Sequence, residues 1–470
     1  MKILILVPDG VGVRNYLFSS FTSGLLKTGN EVLIYHKLSK SAINEIKKNK
    51  PEIKNFKEIP NFVEKPKARL FRELLTYARL LRNEKVLQNK TILKFWNPSK
   101  KGVKKKFLYF ISEMLGSVFS KSYLFIKKGD KLYENEISKS KMIKQVKATL
   151  LNYNPDIVLN LHQRSPLTAP IITEARNLNF KTATVIFSWD NVPKARLISR
   201  YDYYYVWSEL MKNELKLLYP EILNSQINIV GTPQFEFYFN EEFYYTKDCF
   251  FKTYNLDLNK KTLCFSGNDS SSPYEANYLN DICEELMKLD DNKRPQLIFR
   301  RSPVDKSDRF DEILNKYKEL VVSIDPDWRV EKGNDASFSS SYPSYNDIKL
   351  LVNTIKYSDL AVNLGSTMAL DAAVLDKPCL YLNYNPTINP NFKVEDVYEF
   401  QHFRSMNNIE AVGWINNKNE ISSKIIEGLN YPNKVAKDRK EWLNKIIKHP
   451  LEKNSINLAN LIIEKCTSAT

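Results

Sequence analysis

Residues 359–385, DLAVNLGSTMALDAAVLDKPCLYLNYN, hold the side chains whose types and spacing best suit a phosphorylated ligand. Gly365 lets the chain turn sharply. The hydroxyls of Ser366 and Thr367, with the free N–H groups that open a following helix, are donors for a phosphate or diphosphate. Asp371, one to two turns further on, carries a carboxylate that can accept from both hydroxyls of a ribose whose phosphates sit at the turn. The same residues also serve as helix caps and as a first-turn acid favoured by the helix dipole. Spacing alone leaves both readings open.

Such residues need a strand before the glycine, a helix after it and a second strand beyond. Residues 360–364 form a short apolar run, Met368, Leu370 and Val374 follow a helical period, and Cys379–Leu382 reads as a strand just after Pro378. The same alternation covers most of the chain. Lys2–Val7 is an apolar strand running into PDGVGVRN, followed by a helical period over 16–26 and a strand over 31–35, the opening of a doubly wound sheet. Residues 156–161, 181–187, 203–207 and 228–230 read as further strands. From Lys261, TLCFSGND, LIFRRSP, LVVSID and AVNLGST supply a second set separated by helices. Between about 67 and 153 the pattern is helical and strongly basic, an insertion that interrupts the alternation. The expected division is a domain at 1–235 carrying the insertion, a second at 236–440 and a C-terminal helix at 441–470.

The stretch GSTMALDAAVLDKPCLYLNY resembles the donor-nucleotide motif of GT-B glycosyltransferases, and of the related non-hydrolysing UDP-N-acetylglucosamine epimerases and teichoic-acid glycerophosphotransferases. The resemblance spans nearly all of the chain except the basic insertion. It implies an α/β fold of two Rossmann-like domains facing across a cleft, acceptor-binding first and donor-binding second. It places donor phosphates at Ser366 and Thr367 beside Gly365, and the ribose at Asp371, where many family members carry Glu. It makes Arg300, at a strand end, a bidentate phosphate partner, with a surface salt bridge as the alternative. Gly267 and Asn268 in FSGND would join it at the mouth of the preceding strand. In the first domain it makes Asp9, Arg14 and Asn15 cleft residues, and keeps His162, just past a strand in LHQRSP, as a further one. An inverting transfer needs a base in the first domain. SWDNVP resembles the WHGTP stretch of the glycerophosphotransferases, with Asp190 where those enzymes place a catalytic histidine. The resemblance thus implies Asp190 as base with Asn191 beside it, His162 or Asp9 as alternatives, and turn-building by Asx residues as the plain reading.

The formal net charge of +16 points to a polyanionic surface or phosphate-bearing substrates. There is no zinc-finger spacing, aromatic RNA-binding signature or basic zipper, so nucleic acid is not expected as a partner. His36, His162, His402 and His449 stand apart with no metal-ligand spacing. The DPD at 325–327 reads as a turn after a strand. No metal and no cofactor is therefore expected, only a nucleotide-sugar substrate, with a UDP-sugar favoured. Five cysteines without a CxxC pair read as buried thiols in a reducing compartment, and MKILILVPDG is too short an apolar stretch for a signal peptide, which together suggest the cytoplasm. Over 107–126, Glu113 and Lys121 oppose a membrane span. Leu108, Ile111, Leu115 and Val118 make an apolar face, with Glu113, Ser117 and Ser120 on another. With Lys100, Lys101, Lys104, Lys105 and Lys106 before it and Lys127 and Lys128 after, this reads as a peripheral anchor to an anionic inner-membrane surface.

These readings combine into a metal-independent glycosyltransferase. It would move a sugar from a nucleotide-sugar to a glycan or lipid-linked acceptor at the inner face of a bacterial membrane, in surface polysaccharide synthesis. A CDP-polyol glycerophosphotransferase and a non-catalytic basic anion-binding module are the alternatives.

Overall fold

The computed structural model describes residues 1–98, 102–269, 272–330, 337–388 and 392–467, so Lys100 and Lys101 lie outside the described residues. The chain divides into two compact units. One comprises Met1–Pro233, Phe400–His402 and Ile446–Thr470, the other Gln234–Glu399 and Phe403–Lys445.

The first unit is built on seven strands: β1 Lys2–Val7, β2 Glu31–His36, β3 Asn55–Glu58, β4 Ile157–Asn160, β5 Lys181–Val185, β6 Tyr203–Val206 and β7 Ile227–Ile229. They lie in the order β3-β2-β1-β4-β5-β6-β7 and every pair is parallel. Helices on both faces of a parallel sheet demand strands that are apolar on both sides. That is why KILILV reads as a continuous apolar run and buries Ile3 to Val7 completely. β3, with its sequence NFKE, is a mostly exposed edge strand with no such signal.

After β1 the backbone turns through Gly10–Gly12, where the Asp9 side chain accepts from Val11 N–H at 3.1 Å. Gly12 lies against Leu161, so a Cβ there would stand 3.1 Å from that side chain. A π-helical turn, Val13–Phe18, follows, and Ser19 then caps helix α1, Ser20–Lys27. The expected single helical run at 16–26 is therefore two pieces joined at Ser19. Helix α2 is Lys40–Asn49.

The basic insertion between β3 and β4 consists of α3 Pro66–Leu87, α4 Val103–Phe119, α5 Tyr123–Ile137 and α6 Ile143–Tyr153. Leu74, Leu75, Ala78, Ile126, Tyr133 and Ile137 form its core. Arg79 pairs with Asp130 at 2.6 Å, and Arg200 with Asp130 at 3.1 Å and with Glu221 at 2.6 Å. Charges this poorly hydrated persist because each has an opposite partner.

Two expectations for 107–126 are corrected. The segment is not one helix, since α4 stops at Phe119 and α5 starts at Tyr123. Its apolar residues also face differently from the prediction. Leu108, Ile111 and Leu115 are partly covered by the protein, whereas Val103, Phe107, Phe110, Met114 and Val118 form an exposed stripe at helical spacing. Gly116 lets α4 approach α3, because a Cβ there would be 2.8 Å from the Leu74 carbonyl oxygen. Among the described residues no helix is long and apolar enough to cross a membrane.

The C-terminal helix, Asn454–Thr467, returns to the first unit and packs on α1, where a Cβ on Gly24 would meet Ile456 at 2.9 Å. Lys181 Nζ donates to the Lys465 carbonyl at 2.9 Å, and Asn454 packs over Gly231, whose φ is +76°.

The second unit has six parallel strands: β8 Thr262–Ser266, β9 Gln296–Arg300, β10 Val321–Ser323, β13 Leu360–Asn363, β14 Cys379–Leu382 and β15 Gly413–Ile415. Their order is β10-β9-β8-β13-β14-β15. A separate antiparallel ribbon pairs β11 Trp328–Val330 with β12 Ser341–Pro343. Leu263, Phe265, Leu297, Phe299, Leu360 and Val362 form the heart of the core. Cys264, Cys283 and Cys379 are buried as expected, but Cys249 is exposed on its helix and Cys466 is half-buried.

Replacing Gly116 with Leu should pry α4 from α3, because the contact is with backbone and cannot rotate away. Overpacking of this kind costs about 1–3 kcal/mol. A clear fall in melting temperature is expected for Gly116→Leu and none for Phe107→Ser on the exposed side of the same helix. Equal melting of both variants and the parent would contradict the packing described.

Candidate functional site

In each sheet the chain runs outward from the first strand on one side and later resumes on its other side. At that reversal, loops leave the carboxyl ends of two neighbouring strands in opposite directions, which opens a crevice where α/β proteins bind ligands. The reversal falls between β8 and β13 in the second unit and between β1 and β4 in the first.

In the second unit Gly267 and Asn268 follow β8, and Gly365, Ser366 and Thr367 follow β13, so the predicted turns share one crevice. Asn268 Nδ2 donates to the Leu364 carbonyl at 2.5 Å, tying the two loops together. Arg309 holds the first loop from behind, donating to the carbonyls of Ser272 at 2.6 Å and Asn268 at 2.9 Å. Gly365 has φ +61°, and a Cβ there would come within 3.0 Å of both Phe403 and Val397. Ser366 N–H donates to Asn363 Oδ1 at 2.9 Å, and Ser366 Oγ accepts from Met368 N–H at 3.4 Å. Thr367 is exposed and its side chain makes no capping bond to the helix Met368–Val374. That helix has seven residues, so the hydroxyls and turn amides count for more than its dipole. Asp371 is buried, with 3% exposure, and accepts from the Tyr238 hydroxyl at 2.9 Å.

Arg300 does not project from its strand end. It is buried, donating to Asp347 at 2.7 Å and to the Ile324 carbonyl at 3.3 Å, and so ties β9 to the helix Tyr345–Lys356. Asp347 also accepts from Trp328 Nε1 at 2.7 Å. Its neighbour Arg301 donates to Asp325 at 3.0 Å, while Asp327 accepts from the Ser344 hydroxyl, so both acids of the DPD are engaged locally.

In the first unit the reversal joins two residues far apart in sequence. His162 Nδ1 lies 2.7 Å from Asp9 Oδ2, with both side chains mostly covered, and His162 N–H donates to Asn160 Oδ1 at 3.1 Å. On the β1 side Arg14 Nε donates to Asn15 Oδ1 at 3.0 Å, and Asn15 is buried. Asn191 reaches the same neighbourhood through Gln163, whose amide donates to Asn191 Oδ1 at 3.0 Å.

Asp190 has a different setting from the one expected of a base. Lys194 donates to its Oδ2, and Asn191 Nδ2 to its Oδ1 at 2.8 Å. Burial alone would raise its pKa, but the Lys194 ammonium, together with the other neighbouring charge and the hydrogen bonds from Lys194 and Ser188, outweighs burial and holds the carboxyl well below the usual range. A carboxylate so stabilised is a poor proton acceptor. Beside it, burial pushes His402 down to about 4, and its ring packs edge-on to Trp189 at 4.6 Å between centroids. A concavity of about 1090 Å³ lies elsewhere in the first unit, lined by Lys37, Lys57, Lys141 and Lys144, and contains none of the predicted residues.

Sequence reading passed over Glu275, which opens the helix Glu275–Met287 with no exposed surface and its Oε2 3.7 Å from a Cβ built on Gly267. Burial pushes this carboxyl up to about 7. The folded state therefore holds its proton more tightly than the unfolded chain, and folding stability falls as pH rises from about 4.5 through about 7, then levels off. Glu275→Gln should leave the melting temperature unchanged at pH 5 and raise it at pH 8, each pK unit being worth about 1.4 kcal/mol. A variant no more stable than the parent at pH 8 would show that the carboxylate is well accommodated.

No protein-family model matches the sequence, and no curated protein does. Solved structures do match. The UDP-GlcNAc 2-epimerase of Methanocaldococcus jannaschii aligns over 99% of this chain and 100% of its own at 14% identity, with a TM-score of 0.53. S. aureus MnaA, solved with UDP, aligns over 100% and 99% at 12% identity and 0.54. A glycosyltransferase from Rickettsia africae aligns over 100% and 99% at 13% identity and 0.52. Likeness at this identity is one of fold, and with the two parallel sheets it establishes that the chain has the two-domain, Rossmann-like GT-B fold.

Proposed function

We propose that this protein is a glycosyltransferase that takes a sugar from a nucleotide-sugar, a UDP-sugar in preference, and passes it to a glycan or lipid-linked acceptor at an anionic inner-membrane surface in polysaccharide synthesis. The observation that carries the reading is that the strand-order reversals hold complementary chemistry. The second unit's crevice has the Gly365-Ser366-Thr367 turn with Asp371 behind it, and the first unit's has the Asp9–His162 pair. The UDP bound to MnaA, a protein of the same fold, supports the choice of nucleotide.

In this reading Ser366 and Thr367 take the donor phosphates, with Gly267 and Asn268 shaping the opposite wall. Asp371 takes the ribose beside Tyr238. His162 is the base, in place of Asp190: its second ring nitrogen removes the acceptor hydroxyl's proton as the anomeric carbon is attacked. Asp9 fixes the imidazole's tautomer and stabilises the imidazolium that forms. No step calls on a metal. Asp190 and Lys194 shape the loop that carries Asn191.

Epimerisation of a UDP-sugar is the second reading, favoured by full-length likeness to UDP-GlcNAc 2-epimerases. Incubation of the protein with UDP-GlcNAc alone separates the two by proton NMR, since an epimerase converts the sugar without an acceptor. For the transferase, Asp371→Ala should weaken UDP binding by roughly ten- to hundredfold, the worth of a charge-assisted hydrogen bond. His162→Ala should lower turnover by about 10²- to 10⁴-fold with UDP binding intact. Asp190→Asn should chiefly lower the melting temperature by leaving Lys194 unpaired. If His162→Ala turned over normally and Asp190→Asn did not, the assignment of the base would be reversed.

The membrane part of the proposal rests on the exposed stripe of α4. Val103, Phe107, Phe110, Met114 and Val118 continue into Leu124, Phe125 and Leu132 of α5, and exposed Lys104, Lys105, Lys106, Lys121, Lys127, Lys128 and Lys131 surround them. Apolar side chains ringed by lysines match the acyl and headgroup layers of an anionic bilayer, each lysine contributing about 1 kcal/mol near its surface. Flotation with phosphatidylglycerol vesicles should be salt-sensitive. It should drop at least tenfold in Phe107→Ser with Phe110→Ser, and separately when Lys104, Lys105 and Lys106 become Gln. Unaltered flotation in both sets would remove this surface from the proposal.

A further inference from the structure

Arg164 stands in the loop leaving β4, two residues after His162, at the reversal between β1 and β4. Among the described residues its guanidinium makes no hydrogen bond or ion pair, and its Nε is shut away from water without an acceptor. Arg79, Arg200 and Arg300, by contrast, each face a carboxylate within 3.1 Å. Arg164 is half-buried, and a guanidinium nitrogen shut from water without an acceptor is unfavourable and calls for one.

The neighbouring acids do not supply that partner, because they are spent. Asp9 is taken by His162 and by Val11 N–H, and Asp190 by Lys194 and Asn191. Arg196 adds further positive charge here, and its ion pair among the described residues is with Glu73 at 3.6 Å, which already serves Arg72 at 2.6 Å. The facing loop repeats the pattern. Asn15, 1% exposed, has its Nδ2 buried with no acceptor, and the loops meet where Gly12 abuts Leu161 and Asp9 meets His162. Each of the two loops thus holds a buried donor without an acceptor. An oxyanion brought in by a ligand corrects the imbalance. Donors arriving from two loops suit the tetrahedral spread of phosphate oxygens better than the two coplanar oxygens of a carboxylate.

We propose that Arg164 binds a phosphate group of the acceptor, so that the hydroxyl presented to His162 belongs to a phosphate-bearing molecule. The inference rests on the reading that the first unit receives the acceptor. A lipid-linked diphosphate and a glycan phosphate share the required chemistry.

The test is isothermal titration of the full chain with inorganic pyrophosphate. Relative to the parent, Arg164→Gln should weaken binding at least tenfold and Arg164→Lys less, since lysine keeps the charge but loses the fork. Ser366→Ala with Thr367→Ala should retain the component that Arg164→Gln loses. Without anion, Arg164→Gln should melt at or above the parent's temperature, because a buried guanidinium nitrogen without an acceptor is removed; a structural arginine would give a fall. Displacement of pyrophosphate by farnesyl diphosphate would assign the lipid source and by glucose 1-phosphate the glycan source. Displacement by neither, equal affinity in Arg164→Gln, equally tight binding of acetate, or a lowered melting temperature would each overturn the proposal. UDP titrations keep the two ideas apart. If UDP bound no variant while pyrophosphate behaved as described, the anion site would stand and the glycosyl-transfer reading would fall.

Discussion

A parallel strand cannot be followed directly by its neighbour, because the chain must first cross back over one face of the sheet. Each sheet of this protein meets that demand by starting in the middle and building outward twice. The ladders beside the two first strands then fix where the loops of each crevice emerge. Leu6 is paired with Asn160, so Asp9, three residues past the one, and His162, two past the other, leave the sheet together. Val362 is paired with Phe265, which brings out Gly365 and Gly267 at the same two offsets. Residues some 150 positions apart thus meet through backbone register, before any side chain takes part.

What distinguishes the two crevices is how their charges are settled. In the second unit, arginines such as Arg300 and Arg309 are turned inward to carboxylates and carbonyls, leaving hydroxyls and turn amides at the surface of the crevice. In the first unit acid and base face each other, and the aspartate with the strongest local partner is the one least able to move a proton. A carboxylate's usefulness in proton transfer depends on what its neighbours leave unsatisfied, and Lys194 leaves Asp190 little.

The strands at Lys2–Val7 and Cys379–Leu382 were legible because sheets covered on both faces need unbroken apolar runs. β3, exposed on an edge, and the three-residue strands β11, β12 and β15 carry no such pattern and went unread. The Gly365 turn was legible from a local run of residue types. The Asp9–His162 contact was not, since nothing in either loop records its partner. In α4 both faces are partly apolar, so periodicity finds a stripe without knowing which one α3 covers. Leu108 and Leu115 went to the protein and Phe107 and Phe110 to the outside. Arg300 read as a free strand-end cation because Asp347, its partner, lies 47 residues on. Arg164 was passed over beside His162, since an absent partner cannot be seen in a sequence at all.

The return of the C-terminal helix to α1 bears on the order in which the molecule can be finished. All seven strands of the first sheet have been synthesised by Ile229, yet one side of α1 and the left-handed turn at Gly231 wait for residues 454–467. The second unit's strands, by contrast, are contiguous from Thr262 to Ile415 and are complete earlier. On the ribosome the unit that starts first is therefore the last to close. Its unfinished apolar flank must be kept from other chains for as long as the second unit takes to emerge.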